Sequence, residues 1–354
     1  MKKQKIILIT VISLFGFYLA GSTITALVVY SGSFGKVDGF QNDSFYTYIT
    51  WNEVNQVRYS REEVYFNSGG NKLQGFIYGR ENSNGLVVIS QGLGGLADSY
   101  FPMIMYFVDN GWRVFAFNNT GVDGSEGRNT RGLIQSVIDL DAALTYIEAS
   151  GKFIGLPVML VGHSWGGYAV CAVLNYDHNV NAVVSFAGFN KGSEVIRKFG
   201  VSMAGGFYYL VSPQLWLIEK IRFGNTAQLT AVDGINKAGI PVMIVQSSDD
   251  DSITPDDISI YAHRSKITNP NAEIVFFDGA NASGHEYVFC SGEQREYMRL
   301  AISSWQEYRT GHQSITNSTL AQWAREYNFD KIKANELNPD LMERINTFFV
   351  NASY

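Results

Sequence analysis

Six short apolar runs set the strongest limit on what this chain can fold into. They are Leu86–Ser90, Val114–Phe117, Val158–Val161, Ala182–Phe186, Val242–Val245 and Ile274–Phe277, near-unbroken stretches of Val, Ile, Leu, Met, Ala and Phe. Runs without polar alternation are expected of strands covered on both faces, hence of a parallel sheet. Between them lie amphipathic segments, clearest at Leu133–Glu148, where Ile134, Val137, Ile138, Ala142 and Leu144 set a helical period. Upstream, Glu63–Phe66 and Leu73–Tyr78 flank Gly69-Gly70-Asn71, a hairpin signal that raises the strand count to eight. The expected class is therefore α/β: a mostly parallel eight-stranded sheet with helices on both faces, connected by right-handed crossovers.

Two intervals fall outside this rhythm. Some fifty residues separate Phe189 from Pro241, and among them Phe199, Phe207, Tyr208, Tyr209, Leu210, Leu215, Trp216, Leu217, Ile218 and Ile221 are too apolar for a solvated loop. They are expected to form a short helical cap, about 191–227, that roofs a pocket at one edge of the sheet. Residues 291–354 read as a C-terminal helical extension whose Trp305, Tyr308, Trp323, Tyr327, Phe348 and Phe349 are expected to pack on the body. The core then spans 61–290, with 31–60 as a polar linker.

The N-terminus adds a constraint of another kind. Lys2, Lys3 and Lys5 precede Ile6–Tyr30, which holds no charged residue. Twenty-five helical residues span about 37 Å, enough for a ~30 Å hydrocarbon core with some tilt. Residues 1–30 thus read as a cytoplasmic tip and a transmembrane signal anchor, the positive tip staying inside and the body lying outside the cytoplasm. The rival reading is a secreted protein released by cleavage near Ala20; the run is far longer than the ~7–15 apolar residues of a signal peptide, which favours the anchor. Without the three lysines, 24 basic residues face 33 acidic ones, so the body offers no basic face to nucleic acid. Cys171 and Cys290 match no metal spacing and are expected to be buried small apolar groups.

The run Val158–Val161 leads into Gly162-His163-Ser164-Trp165-Gly166-Gly167 and a helical segment, Tyr168–Tyr176. Strand, Gly-x-Ser-x-Gly, helix is the context of a nucleophile elbow, in which a sharp turn lifts the serine hydroxyl out of the sheet. Such a hydroxyl needs a base, and the base needs an orienting acid. The fifth run's strand is followed by Asp249-Asp250-Asp251, and the sixth by a glycine-rich approach to His285. Ser164, Asp250 and His285 are accordingly the candidate catalytic residues. Counting from the strand start favours Asp250, while counting back from Pro255 favours Asp251, which stays its rival. His163 is expected to point sideways from the elbow, and His178, His263 and His312 to be solvated.

On these motifs the stretch from about Val64 to Phe289 resembles the α/β-hydrolase superfamily, in its bacterial serine-hydrolase branch of esterases, lipases and aminopeptidase-like enzymes. Gln91-Gly92-Leu93-Gly94-Gly95 is similar to the family's His-Gly-x-Gly-Gly loop, which implies an oxyanion hole from the backbone N–H groups of Leu93 and Trp165. Gln91 stands where a histidine is usual, and Gln246-Ser247 where His-Gly is common. Asn118-Asn119-Thr120-Gly121 lacks the aspartate and arginine of the family's corresponding turn. The resemblance implies an acyl-enzyme mechanism with no cofactor and no metal, acting on a small-molecule ester or lipid-like substrate. A peptidase or amidase of the same fold, and a non-catalytic binding protein that keeps the fold, are the alternatives.

Overall fold

Alternating apolar and amphipathic segments produce the layered arrangement seen in the computed structural model, which describes residues 2–39, 48–312 and 314–353. A long helix, α1 (Lys2–Ser33), comes first, and the hairpin β1 (Arg61–Ser68) and β2 (Asn71–Tyr78) opens the body. Then follow β3 (Leu86–Ser90), α2 (Phe101–Asp109), β4 (Arg113–Phe117), α3 (Gln135–Ala149), β5 (Val158–His163), α4 (Trp165–Ala172) and β6 (Ala182–Phe186). Three helices separate β6 from the next strand: α5 (Gly192–Ala204), α6 (Tyr208–Phe223) and α7 (Ala231–Ala238). After β7 (Val242–Ser247) and β8 (Ala272–Phe277) the chain ends in α8 (Gly292–Thr310), α9 (Asn317–Glu326), α10 (Lys331–Ala334) and α11 (Pro339–Ala352).

The eight strands form one sheet in the order β1-β2-β4-β3-β5-β6-β7-β8. β1 and β2 pair antiparallel with Ser68 opposite Asn71, so Gly69 and Gly70 alone make the turn, both at positive φ (51° and 90°). A two-residue turn with both centres left-handed matches the twist of the flanking strands, and glycine enters that region without steric cost. β2 meets β4 antiparallel, and β3 to β8 are parallel throughout. Every residue of β3, β5, β6 and β7 is buried, in keeping with their unalternated sequences. β8 departs from the expectation of a strand covered on both faces: it lies at the sheet edge, Ile274 is exposed, and of its six residues only Val275 is buried.

One face of the sheet is covered by α3, α4 and α7 through residues such as Leu140, Val170 and Ile235. The other is covered by α2 and α11 through Phe101, Ile104, Met342, Ile345 and Phe349. The last helix is thus part of the core, fixed further by the Trp112 indole N–H, which donates to Asn346 Oδ1 at 2.8 Å. Helices α8 and α9 pack on each other around Ala301, Leu320 and Trp323.

The stretch expected as a linker touches the body at both ends. Val37 pairs with Val122 in an isolated bridge, and Tyr59 packs edge-on against Phe101; residues 40–47 lie outside the described residues. Helix α1 is long and apolar enough to cross a bilayer, and its first half exposes Ile6, Leu14 and Phe17. Its second half leans on α6, burying Ser22, Ala26 and Tyr30.

Candidate active site

The turn between β5 and α4 is the tightest point of the sheet. Ser164 stands there with φ 54° and ψ −111°, a left-handed backbone outside the ordinary range for a side-chain-bearing residue. Its N–H donates to the Phe186 carbonyl at 2.8 Å and its carbonyl accepts from the Tyr168 N–H at 3.0 Å, which hold the strained residue in place. The flanking glycines are sterically required. A Cβ on Gly162 would come within 2.2 Å of the Gly166 carbonyl oxygen, and one on Gly166 within 2.0 Å of the Ser90 carbonyl oxygen. Strand and helix cross closely enough here to present Ser164 Oγ at the C-terminal edge of the sheet.

His285 reaches the same point from the loop after β8. Its Nε2 lies 2.8 Å from Ser164 Oγ and its Nδ1 lies 2.9 Å from Asp250 Oδ2. Asp250 is buried in the loop after β7, where its Oδ1 accepts from the N–H groups of Ser252 (3.0 Å) and Ile253 (2.7 Å). Its Oδ2 also accepts from Gln246 Nε2 at 3.0 Å. Asp251 turns the other way: it is exposed, and its carboxylate accepts from Ser252 Oγ at 3.2 Å. Asp249 ties the two loops together, accepting from Ser247 Oγ (2.6 Å) and from the Gly284 N–H next to His285 (2.8 Å).

The loop after β3 supplies the opposite wall. A bond from the Gly95 N–H to the Gly92 carbonyl, 3.1 Å, closes a turn with Gly94 at φ 81°. That bond uses neither the Leu93 nor the Gly94 N–H. Gln91 clamps the turn by donating from Nε2 to the Gly95 carbonyl at 2.7 Å. Across the site, the Trp165 N–H opens α4, where helix N–H groups and the helix dipole favour negative charge.

His163 does more than point sideways. Its Nε2 is 3.0 Å from the His285 carbonyl, which can only accept, so Nε2 carries the proton. Its Nδ1 therefore accepts from the Tyr100 hydroxyl at 2.8 Å, and that hydroxyl in turn accepts from the Gly92 N–H at 2.9 Å. One neutral imidazole thus connects the turn carrying Leu93 to the backbone of His285. Burial, reinforced by the neighbouring His285, pushes the His163 pKa down to about 3, which keeps this tautomer uncharged across the working range.

Residues 81–231 match the family of serine aminopeptidases, S33. An esterase of Pyrococcus furiosus is similar over 77% of this chain and 92% of its own, at 14% identity and a TM-score of 0.50. In a second crystal form the figures are 82%, 97%, 15% and 0.50. The chain has the α/β-hydrolase fold. An acylaminoacyl peptidase of Pyrococcus horikoshii is similar over 74% of this hydrolase and 44% of its own chain, at 12% identity and a TM-score of 0.49. No curated protein sequence matches this chain.

In this α/β hydrolase the cavity at Ser164 has a volume of about 540 Å³ and is bounded differently from the sequence expectation. Helices α5 and α6 do not line it. Its walls are the Gly92–Leu96 turn, the segment 286–290, and the C-terminal helices through Met298, Ala301, Ile302, Trp305, Leu320 and Trp323. The extension expected merely to pack on the body therefore builds the pocket, because α8 leaves the His285 loop directly and folds back over Ser164. None of the described lining residues is Lys or Arg, and Glu286 is the only acid among them.

Two histidines differ from their sequence reading. His178 is not solvated: it bridges Asp141 (2.8 Å) and Glu148 (3.0 Å) of α3, and His263 meets Glu194 at 3.3 Å. Gln246, which stands where a histidine is common, hydrogen-bonds the carboxylate that faces His285. Tyr100 had no sequence reading, and His163, expected only to point sideways, bonds both Tyr100 and the His285 carbonyl; the signal in the sequence was a second histidine inside the elbow itself. Cys171 and Cys290 are both buried and free. Among the described residues, no group of His, Cys, Asp and Glu is arranged to hold a metal ion.

Proposed function

We propose that this α/β hydrolase is a membrane-anchored serine hydrolase that cleaves carboxylic esters. The observation that carries the reading is the His285 ring, placed between Ser164 Oγ at 2.8 Å and Asp250 Oδ2 at 2.9 Å. In that geometry the imidazole takes the Ser164 proton as the hydroxyl attacks the ester carbonyl, and Asp250 fixes the ring tautomer and stabilises the imidazolium. The N–H groups of Leu93 and Trp165 receive the developing oxyanion. His285 then protonates the leaving alcohol, and a water it activates releases the acid from the acyl-enzyme. An apolar pocket in which no described lining residue is Lys or Arg favours an uncharged acyl group of some length, held against Trp305 and Trp323.

The anchor reading is supported by α1 itself, whose residues Tyr18 to Tyr30 are fitted to the body and not left as a disposable leader. With the lysines inside, the body faces the extracytoplasmic side. The serine aminopeptidase match favours a second reading, cleavage of aminoacyl amides by the same residues.

A fluorophosphonate probe and a panel of p-nitrophenyl esters from acetate to palmitate, run beside aminoacyl p-nitroanilides, test both. The ester reading expects labelling at Ser164, ester turnover, and loss of each in Ser164→Ala. Turnover of the anilides alone selects the amidase, and an unlabelled, inactive wild type removes the enzymatic reading.

A further inference from the structure

Between Lys198 and Glu219 the chain runs for twenty residues, 199–218, without a charge. They form the closed end of a helical hairpin, made of the last part of α5, the turn Gly205–Phe207 and most of α6. Charges are confined to the open end, with Glu194, Arg197 and Lys198 on one leg and Glu219, Lys220 and Arg222 on the other. That open end is fixed to the body. Lys198 Nζ donates to the carbonyls of Asp251 (3.0 Å) and Ser252 (2.8 Å), and Arg197 pairs with Asp257 at 2.8 Å. The closed end bears apolar side chains that nothing in the body covers: Met203 is 81% and Phe207 75% exposed. Tyr209, Leu210, Trp216 and Leu217 continue the patch along α6. Contiguous exposed apolar surface of this kind marks an interaction site.

The occupant follows from the helix beside it. The Tyr18 hydroxyl donates to the Leu210 carbonyl at 2.7 Å, Gln214 Nε2 donates to Ser22 Oγ at 2.8 Å, and the Arg222 guanidinium lies 4.6 Å above the centre of the Tyr30 ring. The first two pairs share a sequence offset of 192, and Arg222 with Tyr30 keeps it. Helices α1 and α6 therefore run parallel and in register from Tyr18 to Tyr30. Counted from Ile6, Tyr18 lies about 18 Å along α1, past the middle of a ~30 Å hydrocarbon layer, and Tyr30 about 36 Å along it, beyond the far edge. Because α6 is parallel to α1, its first residues point back into the layer from the side on which the body hangs. Trp216 is level with Ile24, about 27 Å along, near the interface where tryptophan is favoured.

We propose that α5 and α6 form a re-entrant hairpin whose closed end is buried in the outer-leaflet hydrocarbon beside α1. The proposal rests on the reading of α1 as a membrane span. Hydrocarbon tolerates only backbone that satisfies itself, and the tip is closed by such bonds: the Gly205 N–H donates to the Val201 carbonyl and the Tyr208 N–H to that of Gly205. The uncharged length, the orientation and the exposed face all suit a lipid partner.

The test uses the full-length chain in phosphatidylcholine vesicles, with the environment-sensitive fluorophore NBD on single introduced cysteines. The sites are Phe207→Cys at the tip, Leu14→Cys on α1 and Ile154→Cys on the far surface, with Tyr209→Cys as a second tip position should Phe207→Cys not fold. Cys171 and Cys290 are buried, and the chain without an introduced cysteine, carried through the same labelling, is the blank. Lipids carrying a nitroxide on the acyl chain are expected to quench positions 207 and 14, and aqueous iodide only position 154. Position 14 quenched by lipid while 207 meets iodide overturns the hairpin and leaves the anchor standing. Protection of 207 from both quenchers means a protein surface covers it, which also overturns the proposal. Iodide reaching position 14 removes the anchor and the hairpin together.

Discussion

Asp250 and Asp251 are neighbours in the chain with opposite surroundings. Asp250 is buried, with two N–H donors on one oxygen and the His285 and Gln246 nitrogens on the other, whereas Asp251 faces solvent. Asp250→Asn is expected to lower ester turnover by about 10⁴-fold, since an orienting acid is lost at that scale, and Asp251→Asn to leave it within a factor of about two, surface changes being nearly neutral. Steady-state kinetics on one soluble ester compare them. Tyr100→Phe strands the Gly92 N–H and His163 Nδ1 in a buried site, at a cost of roughly 1–3 kcal/mol. Denaturant midpoints read that loss, and a lower kcat is expected with it, because the oxyanion turn and the base lose their shared support. His178 gives a pH signature. Its hydrogen bond to Asp141, and then that to Glu148, raise its pKa above the ordinary value while partial burial opposes them. The stabilisation is complete below the unfolded value of about 6.5 and is lost as pH rises through the higher folded value. Unfolding midpoints at pH 5.5 and 8.5 should therefore differ more for wild type than for His178→Gln, by under about 1 kcal/mol because both carboxylate partners are exposed to solvent. The elbow was legible in the sequence because a short motif with its strand and helix is local. The partners of His163 were not: Tyr100 lies 63 residues upstream and the His285 carbonyl 122 downstream, and no periodicity links them.

At the scale of elements, apolar runs located six strands and a glycine hairpin signal the first two, and the alternation with helices gave the parallel pairing from β3 to β8, since a strand buried on both faces has no polar side to hide. The run at β8 misled because an apolar sequence does not say whether a neighbour exists; the sheet simply ends there. The pocket roof was misassigned for a related reason. Aromatic density marked 191–227 and 291–354 alike, and only the path of the chain after His285 decides which segment covers Ser164. Met298→Trp, which narrows the cavity between α8 and α9, is expected to reduce kcat/KM for long acyl esters by about tenfold while leaving acetate esters unchanged, a loss on the order of 1.4 kcal/mol. The chain-length panel shows it directly. Phe349→Ala in α11 is expected to destabilise the fold by about 3–5 kcal/mol, the usual cost of deleting a fully buried aromatic ring. A loss below about 1 kcal/mol would mean that α11 is an appendage and not part of the core.

For the whole molecule, the register shared by α1 and α6 governs how the body is carried. A catalytic unit on a lone span with a loose leash can swivel and tilt through a wide arc. On the proposed anchor, the span is gripped from Tyr18 to Tyr30 by α6, and the other leg of the same hairpin, α5, is bolted through Lys198 to the loop holding Asp251, so rotation about the stalk is opposed. A membrane-anchored hydrolase built this way would hold the mouth of its cavity at one height and one bearing above the bilayer, and would favour molecules that present their scissile bond at that elevation.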